Sequence, residues 1–156
     1  MARKLPFPDN PEAGFGAIAE DGSTFIFENA WSWLSGDAIE IIKAQQISEI
    51  ERRVLTLRGG NPLPEITGRT VILIDDGIAM GSTMRAAIGL CKKKKAGKIV
   101  VAVPVAGREV TEEIAKIADE IVVLELPPFF RAVAQVYENW YDVSDAEVLD
   151  LLGKKG

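Results

Sequence analysis

The first part of the chain changes from short apolar runs to a helical spacing of hydrophobic residues. Over residues 14–28, two apolar runs flank the Asp21-Gly22 pair, which is typical of the type I′ turn of a β-hairpin. Over residues 36–58, hydrophobic residues recur at helical spacing, which predicts a long helix. Ser35 is placed to cap its first turn, and a pair of glycines follows its end as a stop signal. The sequence therefore predicts a hairpin followed by a long helix.

The second part of the chain alternates between strand and helix patterns. The predicted strands are 69–74, 98–104 and 120–126, and the predicted helices between them are 82–96 and 108–119. Right-handed crossovers lay such β-α-β-α-β units down as a parallel sheet. Residues 71–74 are all aliphatic, so both faces of that strand are expected to be buried. Ser144 and Glu147 form a capping box that predicts a last short helix, ending at Leu152.

The composition fits a single domain over residues 1–156. The hydrophobic content of 47% is ample for a core at this length. Beyond the hairpin and the long helix, we expect a βαβαβ core over 69–126 and a C-terminal hood with a helix over 127–152. No apolar run reaches the roughly 18 residues of a membrane span, and the N-terminus lacks an apolar signal core. These features predict a cytoplasmic protein without a membrane partner.

Residue counts and charge exclude several kinds of chemistry. The chain contains no histidine, which excludes histidine-based metal sites and Ser/His/Asp or Cys/His catalysis. Its single cysteine, Cys91, excludes an internal disulfide and is interpreted as a buried packing residue. The net charge of −5 makes nucleic acid an improbable partner, since phosphate contacts need a basic surface.

The strongest chemical signal is the segment over residues 71–84, V-I-L-I-D-D-G-I-A-M-G-S-T-M. Asp75 and Asp76 follow the first strand of the predicted parallel sheet, at the carboxyl end, where open α/β sheets bind ligands. The small residues after them form a loop whose N–H groups can converge on an anion at a helix N-terminus. Two carboxylates beside an anion cradle suit a molecule with hydroxyl groups, a phosphate and a divalent metal. A nucleotide P-loop is a weak alternative, because its lysine is lacking.

This segment resembles the signature of type I phosphoribosyltransferases, which bind 5-phosphoribosyl-1-diphosphate (PRPP). Residues 62–152 also resemble the C-terminal part of a group of bacterial and archaeal members whose substrate is not established, and the opening residues fit the same group. The resemblance implies an α/β fold, a Rossmann-like parallel sheet with flanking helices, preceded by the hairpin and the long helix. It implies that Asp75 and Asp76 contact the ribose hydroxyls. It also implies a loop that binds the 5-phosphate, formed by Ala79, Met80, Gly81, Ser82 and Thr83.

The resemblance also implies a function. The protein would bind PRPP, ribose 5-phosphate or a nucleotide monophosphate with Mg²⁺, which Asp75 and Asp76 would hold indirectly. If active, it would transfer the phosphoribosyl group to a nitrogenous, nucleobase-like acceptor. The acceptor loop of the family follows the third strand of the core, so Phe130 is the first candidate for base binding. Further candidates are Phe129, Tyr137 and Trp140. Aromatic residues near a C-terminus also serve as core or lid packing, and this reading stays open.

Three departures from the family pattern bear on activity. Ala79 stands where some members carry an acid that assists proton removal from the base. Met80 replaces the usual threonine, whose hydroxyl would donate to the 5-phosphate. The strand and loop that bind the diphosphate lie upstream of the hairpin in the family and have no counterpart in this sequence. A non-catalytic PRPP- or nucleotide-binding protein or subunit is therefore the alternative to an active transferase.

Several weaker signals accompany this segment. By resemblance to a basic residue of the family, Lys4 is a candidate contact for the diphosphate, although a solvated N-terminus explains it equally well. Arg58 could offer its guanidinium to a phosphate or simply end the long helix. The lysines at 92–95 are expected to be solvated at a helix end. The strands that lack a counterpart should leave one sheet edge open, which predicts a homo-oligomer, most simply a dimer.

Overall fold

The computed structural model describes residues 1–153. Within that range the chain forms two three-stranded β-sheets and five α-helices, which confirms the predicted α/β class. The strands are β1 (Ala2–Phe7), β2 (Asn10–Ala19), β3 (Thr24–Ile26), β4 (Thr70–Ile74), β5 (Lys98–Val105) and β6 (Glu120–Glu125). The helices are α1 (Ala30–Trp33), α2 (Gly36–Arg58), α3 (Ser82–Lys93), α4 (Arg108–Ala115) and α5 (Asp145–Leu151), with a 3₁₀ turn at Val133–Val136.

The first sheet is antiparallel, with the strand order β1-β2-β3, and α2 packs against it. Leu5 of β1 and Phe15 of β2 are fully buried in a cluster with one face of α2. That face consists of Ile39, Ile42 and Ile50, which the helical spacing brings to the same side. The long helix is therefore stabilised by its contact with the sheet.

The predicted bounds of the long helix are confirmed at both ends. Ser35 caps α2, because its hydroxyl accepts a hydrogen bond from the N–H of Ala38 at 3.2 Å. Gly59 ends the helix in a left-handed conformation, with φ of 60°. Side chains other than glycine pay a steric cost in that region, so the glycine pair makes a firm stop.

The predicted hairpin is present, but the predicted type of its turn, type I′, was wrong. The N–H of Gly22 donates to the carbonyl of Ala19 at 2.9 Å, and Gly22 has φ of 82°. A type I′ turn needs positive φ at both central residues, whereas Asp21 does not have one. Instead the Asp21 carboxylate accepts a hydrogen bond from the N–H of Ser23 at 3.0 Å. The loop is a type I turn followed by a left-handed glycine, and β1 adds a further strand to the hairpin.

The second sheet is parallel, with the order β4-β5-β6, and both crossover helices lie on one of its faces. The inward residues of β5 alternate along the strand and are buried: Ile99, Val101, Val103 and Val105. The first three share a core cluster with residues of α3 and α4. Helix α3 also packs against the antiparallel sheet, because Met84 and Ile88 share a core cluster with Ala17 and Ala19 of β2. Helix α3 therefore connects the two sheets.

The second face of the parallel sheet is open, which contradicts the expectation that β4 is buried on both sides. Ile72 is 58% exposed and Ile74 is 77% exposed. The reason is topological, because both crossovers use the other face and no element within residues 1–153 covers this one. In the same range β4 pairs with β5 alone, so the predicted open sheet edge is present.

Two helices end earlier than the hydrophobic pattern predicts. Helix α3 stops at Lys93 rather than at residue 96, and Lys95 adopts a left-handed φ of 55°. The chain bends there because Gly97 must reach β4, where its N–H donates to the carbonyl of Arg69 at 2.8 Å. Helix α4 stops at Ala115 rather than at residue 119. Apolar residues beyond the helix, such as Ile117, still pack on the core and extend the helical pattern.

We predict that Gly97→Ala destabilises the protein, because the start of β4 approaches this glycine closely. An added Cβ would lie 2.4 Å from the backbone carbonyl oxygen of Gly68, which cannot move without displacing β4. The free energy of unfolding should fall by about 1–3 kcal/mol in urea denaturation. Gly36→Ala is the control, since no atom lies within 4 Å of its added Cβ. An equal effect of both substitutions would contradict the close approach.

Candidate functional site

A cleft opens where the parallel strands end, and we call it the central cleft. Asp75 and Asp76 directly follow β4 and lie at the carboxyl edge of the sheet. The cleft has a volume of about 560 Å³. It is lined by Lys4, Glu12, residues 75–84, residues 131–134 and Trp140. The structure therefore brings the two acids and the whole predicted phosphate loop together in one cavity.

The loop between the acids and α3 is held by buried contacts. Ile78 is 2% exposed and its N–H donates to the carbonyl of Val105 at 2.9 Å, while its own carbonyl accepts from the N–H of Gly107 at 3.1 Å. Gly81 is the N-terminal cap of α3, with φ of 75°, and an added Cβ there would meet a Val110 methyl at 2.7 Å. This geometry requires glycine and fixes the loop against β5 and α4.

The start of α3 supplies hydrogen-bond donors at the cleft. The first N–H groups of any helix have no partner within the helix, and they carry its positive dipole end. In α3 these groups belong to Ser82, Thr83 and the residue after them, which line the central cleft beside Gly81. Ser82 is buried and Thr83 offers a second hydroxyl. The arrangement can hold a phosphate-sized anion with backbone and hydroxyl donors.

The carboxyl group of Asp75 is partly withdrawn from water. Asp75 is exposed as a residue, but it lines three neighbouring depressions, and the surrounding protein displaces water from the carboxyl group. This burial raises the pKa of Asp75, and the negative charge of Asp76 raises it further. A hydrogen bond from the Asp76 N–H to Asp75 Oδ1 at 3.1 Å acts in the opposite direction. Positive charge brought by a ligand or metal would favour its ionised form.

The structure divides the four aromatic candidates between two places. Tyr137 donates its hydroxyl to the carbonyl of Asp76 at 2.7 Å, and its ring lies 5.4 Å from that of Trp140, which lines the central cleft. Phe129 and Phe130 line a neighbouring cavity of about 630 Å³, which we call the aromatic depression. The two cavities share the walls formed by Ala79 and Met80.

The two basic candidates have different surroundings. Lys4 lines the central cleft, and its ammonium donates to the backbone carbonyl of Glu12 at 2.7 Å. Arg58 lies outside the cleft and forms an ion pair with Glu20 at 3.1 Å. This contact supports the interpretation that Arg58 ends the long helix and does not bind a phosphate. Lys4 thus stays a candidate contact, whereas Arg58 is part of the junction between α2 and the hairpin.

Sequence reasoning missed two charged residues of the cleft, Arg131 and Glu12. Arg131 directly follows the aromatic candidates in the loop after β6, and its basic side chain was the available signal. Glu12 lies in β2, and its place depends on how the hairpin sheet meets the parallel sheet. No local motif encodes that contact.

The donor set of the cleft fits a magnesium ion that is shared with a ligand. Over residues 1–153 there is no group of three or more His, Cys, Asp or Glu side chains that could hold a metal. Asp75 and Asp76 nevertheless provide two adjacent carboxylates. Mg²⁺ commonly binds through one or two carboxylates, water and substrate phosphates, so these two acids suit that mode.

Known proteins share the sequence pattern of this chain. The family described as "Phosphoribosyl transferase domain" matches residues 33–139. Two Mycobacterium tuberculosis proteins, from strains CDC 1551 / Oshkosh and ATCC 25618 / H37Rv, are 36% identical over 156 residues, and each is named "Putative phosphoribosyl transferase". The match covers 99% of this chain and 35% of each relative, so the chain spans about a third of their length.

A solved structure has a similar fold. The crystal structure of TT1426 from Thermus thermophilus superimposes with a TM-score of 0.73 and 34% sequence identity. The match covers 97% of this chain and 73% of that one. No helix in the part of the chain that the structure describes is long and apolar enough to cross a membrane.

We predict that Asp75→Asn stabilises the protein at neutral pH. The pKa of Asp75 is raised above its ordinary value of 3.8, so ionisation costs folding free energy as pH rises from that value through the folded-state pKa. Asparagine removes this cost. In urea denaturation the variant should gain stability over the unsubstituted protein at pH 7, and the gain should vanish near about pH 3.

Asp142→Asn is the matched control, because Asp142 lies outside the cleft and is exposed. This substitution should change the free energy of unfolding by less than about 0.5 kcal/mol at pH 7, as is usual for surface positions. A gain for Asp75→Asn that is the same at both pH values, or a loss at pH 7, would contradict the raised pKa.

Proposed function

Since the chain belongs to the phosphoribosyl transferase family, we propose that it binds PRPP or a ribose 5-phosphate moiety in the central cleft and transfers the phosphoribosyl group to a nitrogenous acceptor. One observation carries this proposal. Asp75 and Asp76 line the same cavity as the free N–H groups at the start of α3. Hydroxyl-binding carboxylates and a phosphate cradle are thus within reach of one sugar phosphate.

Each part of the cleft has a role in this proposal. Asp75 and Asp76 accept hydrogen bonds from the ribose 2- and 3-hydroxyls. The loop of residues 79–83 donates to the 5-phosphate and fixes the position of the sugar. Transfer is then faster, because the reacting groups are already bound close together and no longer have to meet by diffusion. Asp75 and Asp76 would hold Mg²⁺ indirectly, and the ion would supply positive charge that offsets the charge of the leaving diphosphate.

The diphosphate of PRPP has a candidate place beside Asp75. A neighbouring cavity, which we call the basic depression, is lined by Asp75 and Thr83 and by three basic residues, Arg3, Lys4 and Arg53. Their charge is partly neutralised, because Arg3 lies 3.8 Å from Glu49 and Arg53 lies 3.1 Å from Asp145. Lys4 has no carboxylate partner within residues 1–153.

A non-catalytic binding protein is the second candidate. It is favoured by the partial neutralisation in the basic depression, since a leaving diphosphate needs unpaired positive charge. Both candidates require the sugar phosphate to bind. They differ in whether the diphosphate is recognised, so one comparison of ligands separates them.

We predict that calorimetry separates the two functions. The protein should bind PRPP at least about tenfold more tightly than ribose 5-phosphate in the presence of Mg²⁺, because charge-assisted contacts to the diphosphate add to those of the sugar. Equal affinity for both ligands would support the non-catalytic protein.

Substitution of the acids tests the site itself. Asp75→Asn and Asp76→Asn should abolish measurable binding of either ligand, whereas Asp142→Asn should bind normally. Unchanged affinity in both of the first two variants would refute a ribose site at these acids.

We further predict that Met80→Thr tightens ribose 5-phosphate binding. Met80 lines the cleft and is 64% exposed, so a smaller polar residue should be accommodated without loss of core packing. A new hydroxyl donor to a charged phosphate is worth about 1.5–3 kcal/mol, which corresponds to an affinity about 10- to 100-fold higher.

Met80→Val is the control, because valine has the shape of threonine without its hydroxyl. It should leave the affinity within about twofold of the unsubstituted protein. Equal tightening by threonine and valine would show that the gain comes from removing the methionine side chain.

A further inference from the structure

The central cleft contains a cationic side chain, Arg131, that no described residue neutralises. The N–H of Arg131 donates to Gln135 Oε1 at 2.7 Å, which fixes its backbone at the cleft wall. Its guanidinium has neither a hydrogen bond nor an ion pair with any side chain or carbonyl over residues 1–153. Several other arginines, among them Arg58 and Arg85, are paired with carboxylates. The guanidinium of Arg131 is therefore available to an anion of the ligand.

A planar aromatic surface lies in the same cleft. Trp140 is about half exposed, and its ring is supported by Tyr137 at 5.4 Å. Because the Tyr137 hydroxyl is bonded to the carbonyl of Asp76, this aromatic pair is tied to the acids. A flat ring can stack on Trp140 while it stays close to the sugar-binding acids.

The cleft offers few groups that could remove a proton from the acceptor. Ala79 has no ionisable side chain, and the chain contains no histidine. Asp75 and Asp76 are assigned to the ribose, which leaves Glu12 as the other carboxylate of the cleft. An acceptor with an N–H nucleophile must lose its proton to such a group. A pyridine-type nitrogen has a free lone pair and no proton to lose.

We propose that the acceptor is a planar, pyridine-type ring that carries a carboxylate. Arg131 binds the carboxylate and Trp140 stacks on the ring. The positive charge of Arg131 is needed because a negatively charged acceptor must approach the carboxylates of Asp75 and Asp76. This proposal rests on the proposed function and specifies the class of its acceptor.

The transfer step requires no general base. The lone pair of the ring nitrogen forms a bond to C1 of the ribose, while the bond between C1 and the diphosphate oxygen breaks. The diphosphate leaves with the electron pair of that bond. The ring nitrogen becomes a positively charged pyridinium, and no proton is released.

Calorimetry on protein saturated with ribose 5-phosphate and Mg²⁺ tests this class. The probes are the three isomers of pyridine carboxylate and the three matching carboxamides, which have the same shape without the charge. At least one carboxylate should bind about tenfold or more tightly than its carboxamide, as expected for a charge-assisted contact to arginine.

Arg131→Gln should remove that preference, and Arg131→Lys should restore part of it, because lysine keeps the charge but not the two-pronged geometry. Ribose 5-phosphate should still bind to Arg131→Gln within about twofold of the unsubstituted protein, which also shows that the variant is folded. Trp140→Leu should weaken carboxylate and carboxamide alike.

Three results would overturn the proposal. If every carboxylate bound as tightly as its carboxamide, the acceptor would not be recognised by its charge. If neither set of probes bound, the proposed class of acceptor would be wrong. A loss of ribose 5-phosphate affinity in Arg131→Gln would show that Arg131 holds the 5-phosphate instead. In these cases the proposed function stands if the unsubstituted protein binds ribose 5-phosphate. If it does not, both proposals fail.

Discussion

Helix α3 packs between the two sheets, and its position determines where the central cleft forms. One side of this helix shares a core with Ala17 and Ala19 of the antiparallel sheet, and the other contacts β4 of the parallel sheet. Its N-terminus is thereby fixed at the carboxyl end of β4, next to Asp75 and Asp76. The free N–H groups of the helix can act on an anion only because this packing holds them there. Binding chemistry at the cleft is thus a consequence of core packing.

The electrostatics of the cleft follow from the same arrangement. Two acids lie side by side, and burial of the Asp75 carboxyl group raises its pKa, which makes ionisation of this group unfavourable. Two basic residues line the same cleft without forming an ion pair with the acids, because Lys4 donates to a carbonyl and Arg131 has no acidic partner in residues 1–153. Such an imbalance is relieved by a ligand that brings hydroxyls and a metal to the acids and anionic groups to the cations.

The fold and the centre of the site could be predicted from the sequence because their signals are local. The helical spacing over residues 36–58 and its caps gave correct bounds for α2, and the acids with their loop follow one strand directly in the chain. The open face of β4 could not be predicted, because the aliphatic run of a strand does not show how many faces have a covering layer. The places of Glu12 and Arg131 depend on contacts between distant segments. The turn type predicted from the Asp21-Gly22 pair was wrong for a different reason. The Asp21 carboxylate accepts a hydrogen bond from the N–H of Ser23 and stabilises another turn, which the residue pair alone does not indicate.

We propose that the cleft at the end of β4 binds a ribose phosphate through the acids and the start of α3. The most direct measurement is the change in backbone amide NMR signals as ribose 5-phosphate and Mg²⁺ are added. We expect the largest shifts at residues 75–84, with a smaller effect at Tyr137, whose hydroxyl donates to the carbonyl of Asp76. Shifts confined to α2 or to the open face of the parallel sheet, or no shifts at saturating ligand, would contradict it.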